Sequence, residues 1–311
     1  MPKILYMINE LGEIRMQQIQ IKARAKINLT IDVIGKRPDG YHEVSMVMQT
    51  IDLHDLITLT AADSGITVSA NRLEVPTGSE NLVYKAAELI KPPGFNGGVQ
   101  IHIEKNIPMA AGLAGGSADA AAVLEGLNQL WELKLTREEL MKIGSQIGSD
   151  VPFCVLGGTA LAEGRGEKLT PLPEAPEIWL VLAKPPVGVS TKDVYGQYNP
   201  CNTSRRPDNN AMIRALAKGD KVEIMENLVN VLESVTLHRY PEVAGLKQLM
   251  VRSGAQAALM SGSGPTVFGV VPEKAAALEV VQRLRKEFSD GYTNIARTCF
   301  GNGRKSNTEG E

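Results

Sequence analysis

Three parts of the chain carry residue types that could do chemistry. The first is "PMAAGLAGGSADAAAVL" (108–124), where Gly112, Gly115 and Gly116 lead into Ser117 and an alanine-rich run. Glycines allow positive φ and remove the side chains that keep a ligand from the main chain. At a helix start the first N–H groups lack intrahelical partners and the dipole adds roughly +0.5 charge, so a phosphate is the natural occupant. Ser117, at or near the N-cap, can offer its hydroxyl to a phosphate oxygen or to an accompanying magnesium ion. The tract lacks the Gly-Lys-Ser/Thr ending of a P-loop, which excludes a P-loop NTPase. Small residues of this kind also build tight strand-to-helix turns, and the loop alone leaves both readings open.

The second part is Asp150 in "GSDVPF" (148–153). An Asp there either caps a helix or takes the proton of an attacking hydroxyl as a phosphoryl group arrives. The third is "RAKINL" (24–29) with the turn "KRPDGYHEV" (36–44) that follows it. Lys26 on an edge strand would ordinarily be a solvated gatekeeper, and Asn28 shares its face because side chains alternate. Tyr41 and His42 follow the Pro-Asp-Gly turn, where an exposed pair could simply be rim residues. His54, His102 and His238 read as structural; His54 adjoins Asp55 without ligand-like spacing.

The elements that must position these residues follow from periodicity. Residues 17–34 alternate as one half-buried strand, 42–61 read as two more, and 99–105 alternate again. Helical spacing marks 80–90, the run from Ser117 through Trp131, and a helix after Thr136, whose Glu139 makes a capping box. The second half opens with a buried strand at 178–185 and continues with helices near 209–218, 221–234 and 241–253. A strand at 255–261, a second glycine tract "SGSGPTVFGVV" (261–271), a helix at 273–288 and a strand at 293–300 complete it. Strands and helices mix without a regular βαβ repeat, so both halves are α+β. The Gly/Pro-rich stretch 157–177 marks the domain crossing.

A chain of 311 residues is long for one core and implies two domains. With 43% hydrophobic and 22% charged residues and a net charge of −2, it is an ordinary globular composition without a basic stripe, which argues against nucleic acid. Cys154, Cys201 and Cys299 are odd in number and lack CxxC spacing, arguing against a disulfide framework or zinc site. The apolar patch at 4–8 turns polar at Asn9 and Glu10, too soon for a signal peptide or membrane span. The expectation is a cytoplasmic protein, monomer or weak homodimer, in which residues 1–15 are an extension contributing little.

The loop at 108–118 has the Pro-x-x-x-Gly-Leu-x-x-Ser/Gly-Ser-Ala pattern and resembles the central motif of the GHMP kinases. Residues 22–55, "IGSDVPFCVLGGTALAEGRGE" (147–167) and "SGSGPTVFG" (261–269) resemble further segments of that family, in order from about residue 20 to 300. The Arg-Pro-Asp-Gly-Tyr-His-Glu segment resembles the branch whose acceptor is a cytidyl-diphosphate methylerythritol. The resemblance implies a ribosomal protein S5 domain 2-like N-terminal domain (1–168) that binds ATP and a ferredoxin-like C-terminal domain (169–311) that completes the substrate cleft. It also implies ATP as donor, with Mg²⁺ and no certain metal ligand, and transfer to the acceptor's C2 hydroxyl in the non-mevalonate route to isoprenoid precursors.

Residue by residue, the resemblance makes Asp150 the catalytic carboxylate and Lys26 the cation beside it. ATP falls to Asn81, Leu82, Lys105, Pro108, Met109, Ala110, Ala111, Gly112, Leu113, Ala114, Gly115, Gly116 and Ser117. The acceptor falls to Asn28, Tyr41, His42, Gly262, Ser263 and Gly264. Tyr195 matches the aromatic on the far side of the cytosine, with Tyr198 as its competitor. The rivals are a homoserine- or mevalonate-type kinase, disfavoured because those acceptors carry no base to stack, and a non-catalytic ligand sensor of the same fold.

Overall fold

The computed structural model describes residues 3–8 and 14–300. Strands β1 (Lys3–Ile8), β2 (Ile14–Asn28), β3 (Thr30–Lys36), β4 (His42–Ala62) and β5 (Ile66–Ala70) precede helix α1 (Leu82–Ile90). Strand β6 (Gly98–Glu104) leads into α2 (Gly115–Leu130), α3 (Arg137–Ile147) and α4 (Val151–Leu156). Strands β7 (Thr159–Gly164), β8 (Lys168–Pro171) and β9 (Trp179–Lys184) come next, then α5 (Thr191–Gln197), α6 (Asn209–Lys218) and α7 (Lys221–Glu226). The short β10 (Val229–Asn230) is followed by α8 (Glu233–Arg239), α9 (Pro241–Arg252), β11 (Ala257–Met260), β12 (Val267–Val271), α10 (Lys274–Glu287) and β13 (Tyr292–Arg297).

Compactness divides the chain into two interleaved units. Of the described residues, the first holds 3–8, 14–25, 53–107 and 114–156. There β6 pairs antiparallel with the end of β4 and parallel with β5. The inward residues of these strands, among them Ile57, Leu59, Ile101 and Ile103, meet Val83, Ala86 and Ala87 of α1 and the alanine-rich face of α2. Alanine and leucine favour the α2 helix intrinsically, and their small side chains let it lie close to the strands. Gly126 eases that approach, since a Cβ there would displace the ends of the Leu59 and Ile21 side chains.

Of the described residues, the second unit holds 26–52, 108–113 and 157–300. In it β3 and β7 pair antiparallel with the first part of β4, and β8 pairs with β7. A separate four-stranded antiparallel sheet, ordered β11-β12-β9-β13, is packed by α9 and α10. Every residue of β12 is buried, as a near-continuous apolar run should be.

The elements differ from the sequence reading in several places. The strand expected over 17–34 breaks at Leu29, where the chain changes partners: Leu29 donates to the Val47 carbonyl and accepts from Val229 N–H. The two strands expected over 42–61 are one, because no turn residue interrupts it; residues 44–49 pair with β7 and 56–62 with β6. The helix expected over 221–234 stops at Glu226, since Val229 and Asn230 pair with Thr30 and Ile31 instead. In the extension, Lys3–Ile8 pairs antiparallel with β2; residues 1, 2 and 9–13 lie outside the described residues. The capping box at Thr136 and Glu139 is present as expected.

Candidate active site

Helix α2 starts at Gly115, two residues before the expected start, and Ser117 is its third residue rather than its cap. The N-cap is Ala114, left-handed at φ 56°, with no side-chain hydrogen bond. The amides of Gly115, Gly116 and Ser117 therefore have no intrahelical acceptor and no side-chain cap. Ala110 (φ 48°), Gly112 (φ 72°) and Ala114 (φ 56°) all lie in the left-handed region, so strain is concentrated in this loop. Leu82 flanks the open turn: a Cβ on Gly116 would be 3.6 Å from its Cδ1. Asn81, beside Leu82, caps α1 by accepting Val83 N–H at 3.0 Å, and its amide donates to the Pro76 carbonyl.

Beneath the same turn lies a buried ionic cluster. The Lys105 ammonium donates to Asp55 Oδ2 at 2.5 Å and Asp119 Oδ2 at 2.6 Å, and its side chain is 5% exposed. Asp55 Oδ1 accepts the backbone N–H groups of Asn106 and Ile107 at 2.5 and 2.7 Å. A Cβ on Gly115 would stand 3.1 Å from the Lys105 nitrogen, so glycine lets the ammonium lie against the helix start. Burial pushes the Asp119 carboxyl up to about 8, Lys105 opposing the shift and Asp55 adding to it. Burial also disfavours the Lys105 charge, but the two carboxylates outweigh it and raise its pKa. Among the described buried atoms, Asp119 Oδ1 has no hydrogen-bond partner. The sequence reading places Lys105 at the nucleotide; the structure gives its ammonium an internal task.

Asp150 stands immediately before α4, half-buried, and its carbonyl accepts Cys154 N–H at 3.1 Å. Two residues earlier, a Cβ on Gly148 would be 3.9 Å from Ser117 Oγ. The open turn of α2 and the Gly148–Asp150 turn thus face each other inside the first unit.

The second unit gathers other expected residues. Lys26, 4% exposed, donates its ammonium to Asn28 Oδ1 at 2.7 Å, and Asn28 Nδ2 reaches Met46 Sδ at 3.3 Å. The Lys26 backbone N–H bonds the Leu113 carbonyl at 3.1 Å, tying strand β2 to the glycine loop. The second glycine tract meets that loop as well. Ser261 Oγ donates to the Gly112 carbonyl at 2.9 Å, and a Cβ on Gly112 would strike the Ser261 carbonyl. Asn230 Nδ2 donates to the Met260 and Gly262 carbonyls, both at 2.8 Å, and Ser263 Oγ bonds Thr191 Oγ1 at 2.9 Å.

The Arg37–Tyr41 turn is closed by Arg37 N–H to the Tyr41 carbonyl and by Tyr41 N–H to Asp39 Oδ1. The His42 ring packs on Tyr195 with centroids 5.5 Å apart, tilted 39°. Tyr198 instead accepts from Thr203 Oγ1 at 3.2 Å. Burial, and then Lys36, lower the His42 pKa and keep the ring neutral. The guanidinium of Arg165 lies 4.9 Å from the Tyr41 ring centroid.

The sequence reading missed Asp55, Asp119 and Arg165. Asp55 had a visible signal: it shares the inward register of β4 with Leu53, Ile57 and Leu59. Asp119 lies among buried alanines, and an acid in such a place requires a partner. Arg165 carried no local signal beyond its flanking glycines.

Among the described residues, no group of three or more His, Cys, Asp or Glu side chains could hold a metal, and no helix is long and apolar enough to cross a membrane. The profile of the GHMP kinases N terminal domain matches residues 81–158, and that of the GHMP kinases C terminal matches 212–290. The chain is 53% identical over 277 residues to a 4-diphosphocytidyl-2-C-methyl-D-erythritol kinase of Brevibacillus brevis, covering 88% of this chain and 95% of that one. A relative of the same description from Geobacillus kaustophilus is 55% identical over 272 residues, covering 86% of this chain and 93% of its own. A crystal structure of a 4-(cytidine 5'-diphospho)-2C-methyl-D-erythritol kinase superposes with TM-score 0.78 at 34% identity, covering 91% of this chain and all 100% of that one. A homoserine kinase from Cytophaga hutchinsonii, 19% identical with TM-score 0.72 over 91% of this chain and 95% of its own, shares the fold.

Proposed function

The chain belongs to the GHMP kinase family, and from that premise we propose that it phosphorylates 4-diphosphocytidyl-2-C-methyl-D-erythritol, the alcohol for which its relatives are named. ATP is the phosphoryl donor, and the C2 hydroxyl of the acceptor is the group that attacks, in the supply of isoprenoid precursors by the non-mevalonate route. The protein acts in the cytoplasm. One observation carries the placement of the reaction: the Ser117 hydroxyl, at an open helix start, faces the turn that bears Asp150.

The roles follow from charge and position. The bare amides of Gly115, Gly116 and Ser117 receive the nucleotide's phosphates, where the α2 dipole favours negative charge. Leu82 borders the same turn and contributes an apolar edge for the nucleoside. Asp150 accepts the proton of the acceptor hydroxyl, and Lys26, oriented by Asn28, offsets charge on the transferring group. Magnesium fits here as the companion of the phosphates rather than as a resident ion, with the Ser117 hydroxyl as a protein oxygen beside it; when bound it neutralises phosphate charge. Tyr41, His42 and Tyr195 hold the cytosine, for which base–aromatic stacking supplies roughly 1–3 kcal/mol. The second glycine tract braces the loop through Ser261 and Gly112.

The test is ADP formation from ATP with the cytidyl-diphosphate alcohol, mevalonate or homoserine as acceptor. Turnover is expected with the first alone. Turnover with homoserine or mevalonate and none with the cytidyl alcohol reassigns the acceptor; none with any acceptor returns the chain to a ligand-sensing role.

A further inference from the structure

The Tyr41 ring is exposed, and what restrains it comes from a turn that the reaction as described does not use. Strand β7 ends at Gly164, and Gly164 (φ 71°) and Gly166 (φ 109°) flank Arg165 in left-handed conformations. The carboxylate of Glu167 accepts the Arg165 backbone N–H at 2.6 Å, and Gly166 N–H bonds the Glu163 carbonyl at 3.0 Å. Gly164 holds a positive φ that L side chains rarely adopt, so the turn favours glycine there. The side chain this turn presents is that of Arg165, 33% exposed, with its guanidinium 4.9 Å from the Tyr41 centroid.

Tyr41 is held differently at its two ends. Its backbone is fixed by Arg37 and Asp39, whereas the residue as a whole is 54% exposed. A planar, delocalised cation can lie flat on such a ring, whereas an ammonium meets it only as a compact point charge. Arg165 also acts on the turn electrostatically. Burial works against the Asp39 charge, but the Tyr41 N–H and the positive charges of Arg37 and Arg165 together lower its pKa.

We propose that Arg165 is a positioning residue for the cytidyl acceptor: it covers one face of Tyr41, fixes the ring and leaves the other face for the base. This rests on the reading of Tyr41 as a cytosine contact. An aromatic side chain that is already immobilised loses less conformational freedom when the base arrives. The consequence is confined to the acceptor, because Arg165 reaches the substrate through Tyr41.

The experiment is steady-state kinetics on the full chain for Arg165→Ala, Arg165→Lys, Tyr41→Ala and the double variant. Arg165→Ala is expected to raise the acceptor KM about three- to tenfold, with kcat and the KM for ATP unchanged. Arg165→Lys should recover little of this loss, since it restores charge without the plane. In the Tyr41→Ala background, Arg165→Ala should add nothing. A normal acceptor KM in Arg165→Ala, or an undiminished effect without the tyrosine ring, overturns the proposal while the cytosine reading stands. An unchanged acceptor KM in Tyr41→Ala removes both.

Discussion

Replacing Lys105 by methionine removes the cation held between Asp55 and Asp119 while keeping the length of the side chain. Both carboxyl groups lie within 2.6 Å of the ammonium, and both side chains are no more than 5% exposed. Deleting one partner of a buried pair leaves charge with no counter-charge and costs about 3–5 kcal/mol. That is a large part of the roughly 5–15 kcal/mol by which domains are stable. Asp119→Asn should behave in the opposite way. Burial favours the neutral form of its carboxyl, so the amide replaces, in the same shape, a group whose charge is costly to keep there. The expected loss is within about 1 kcal/mol, the size of one neutral hydrogen bond. Asp55→Asn falls between them: its oxygen still accepts from Asn106 and Ile107, but its new NH₂ meets the ammonium, losing a charged hydrogen bond of about 1.5–3 kcal/mol. Urea unfolding followed by circular dichroism at pH 7 ranks the three variants. If Lys105→Met stays within 1 kcal/mol of the parent (about the value of one neutral hydrogen bond), or Asp119→Asn loses as much as it does, the charge argument is wrong.

Asp150→Asn should keep nucleotide binding and lower kcat by about 10²–10⁴, the scale of removing a general base; near-normal turnover reduces Asp150 to a helix cap. Gly112→Ala forces a Cβ into a residue at φ 72° and against the Ser261 carbonyl, so unfolding should come earlier by at least about 1–2 kcal/mol in a denaturant titration. The depressed His42 pKa means the unfolded chain takes up that proton first as pH falls. His42 therefore adds stability above about pH 6.5, and the contribution is lost as pH drops through its folded value. Melting temperatures of the parent and His42→Gln between pH 5 and 8 should converge at the acid end; a constant gap contradicts the burial argument.

Much of this site was legible because its local rules are strong. The loop glycines, the Pro-Asp-Gly turn and the Thr136–Glu139 box each dictate backbone geometry from neighbouring residues alone, and all three appear where expected. What escaped depended on distant partners. Lys105 resembles a surface lysine until Asp55 and Asp119, 50 and 14 residues away in sequence, are brought to it. Residues 229–230 read as helix because nothing local reveals that Thr30 and Ile31 will claim their backbone. Arg165 was silent for the same reason: its ring partner is 124 positions earlier.

The interleaved path of the chain has a practical corollary. Residues 26–52 fold with the second unit, although 53–107 return to the first. Expressing 169–311 by itself would strip that unit of β3, β7 and the leading part of β4, leaving β10 and the remainder of β8 without their strand partners. Reporter fragments for a split-protein assay should therefore be cut inside an exposed connection, and screened for mutual rescue rather than for independent solubility.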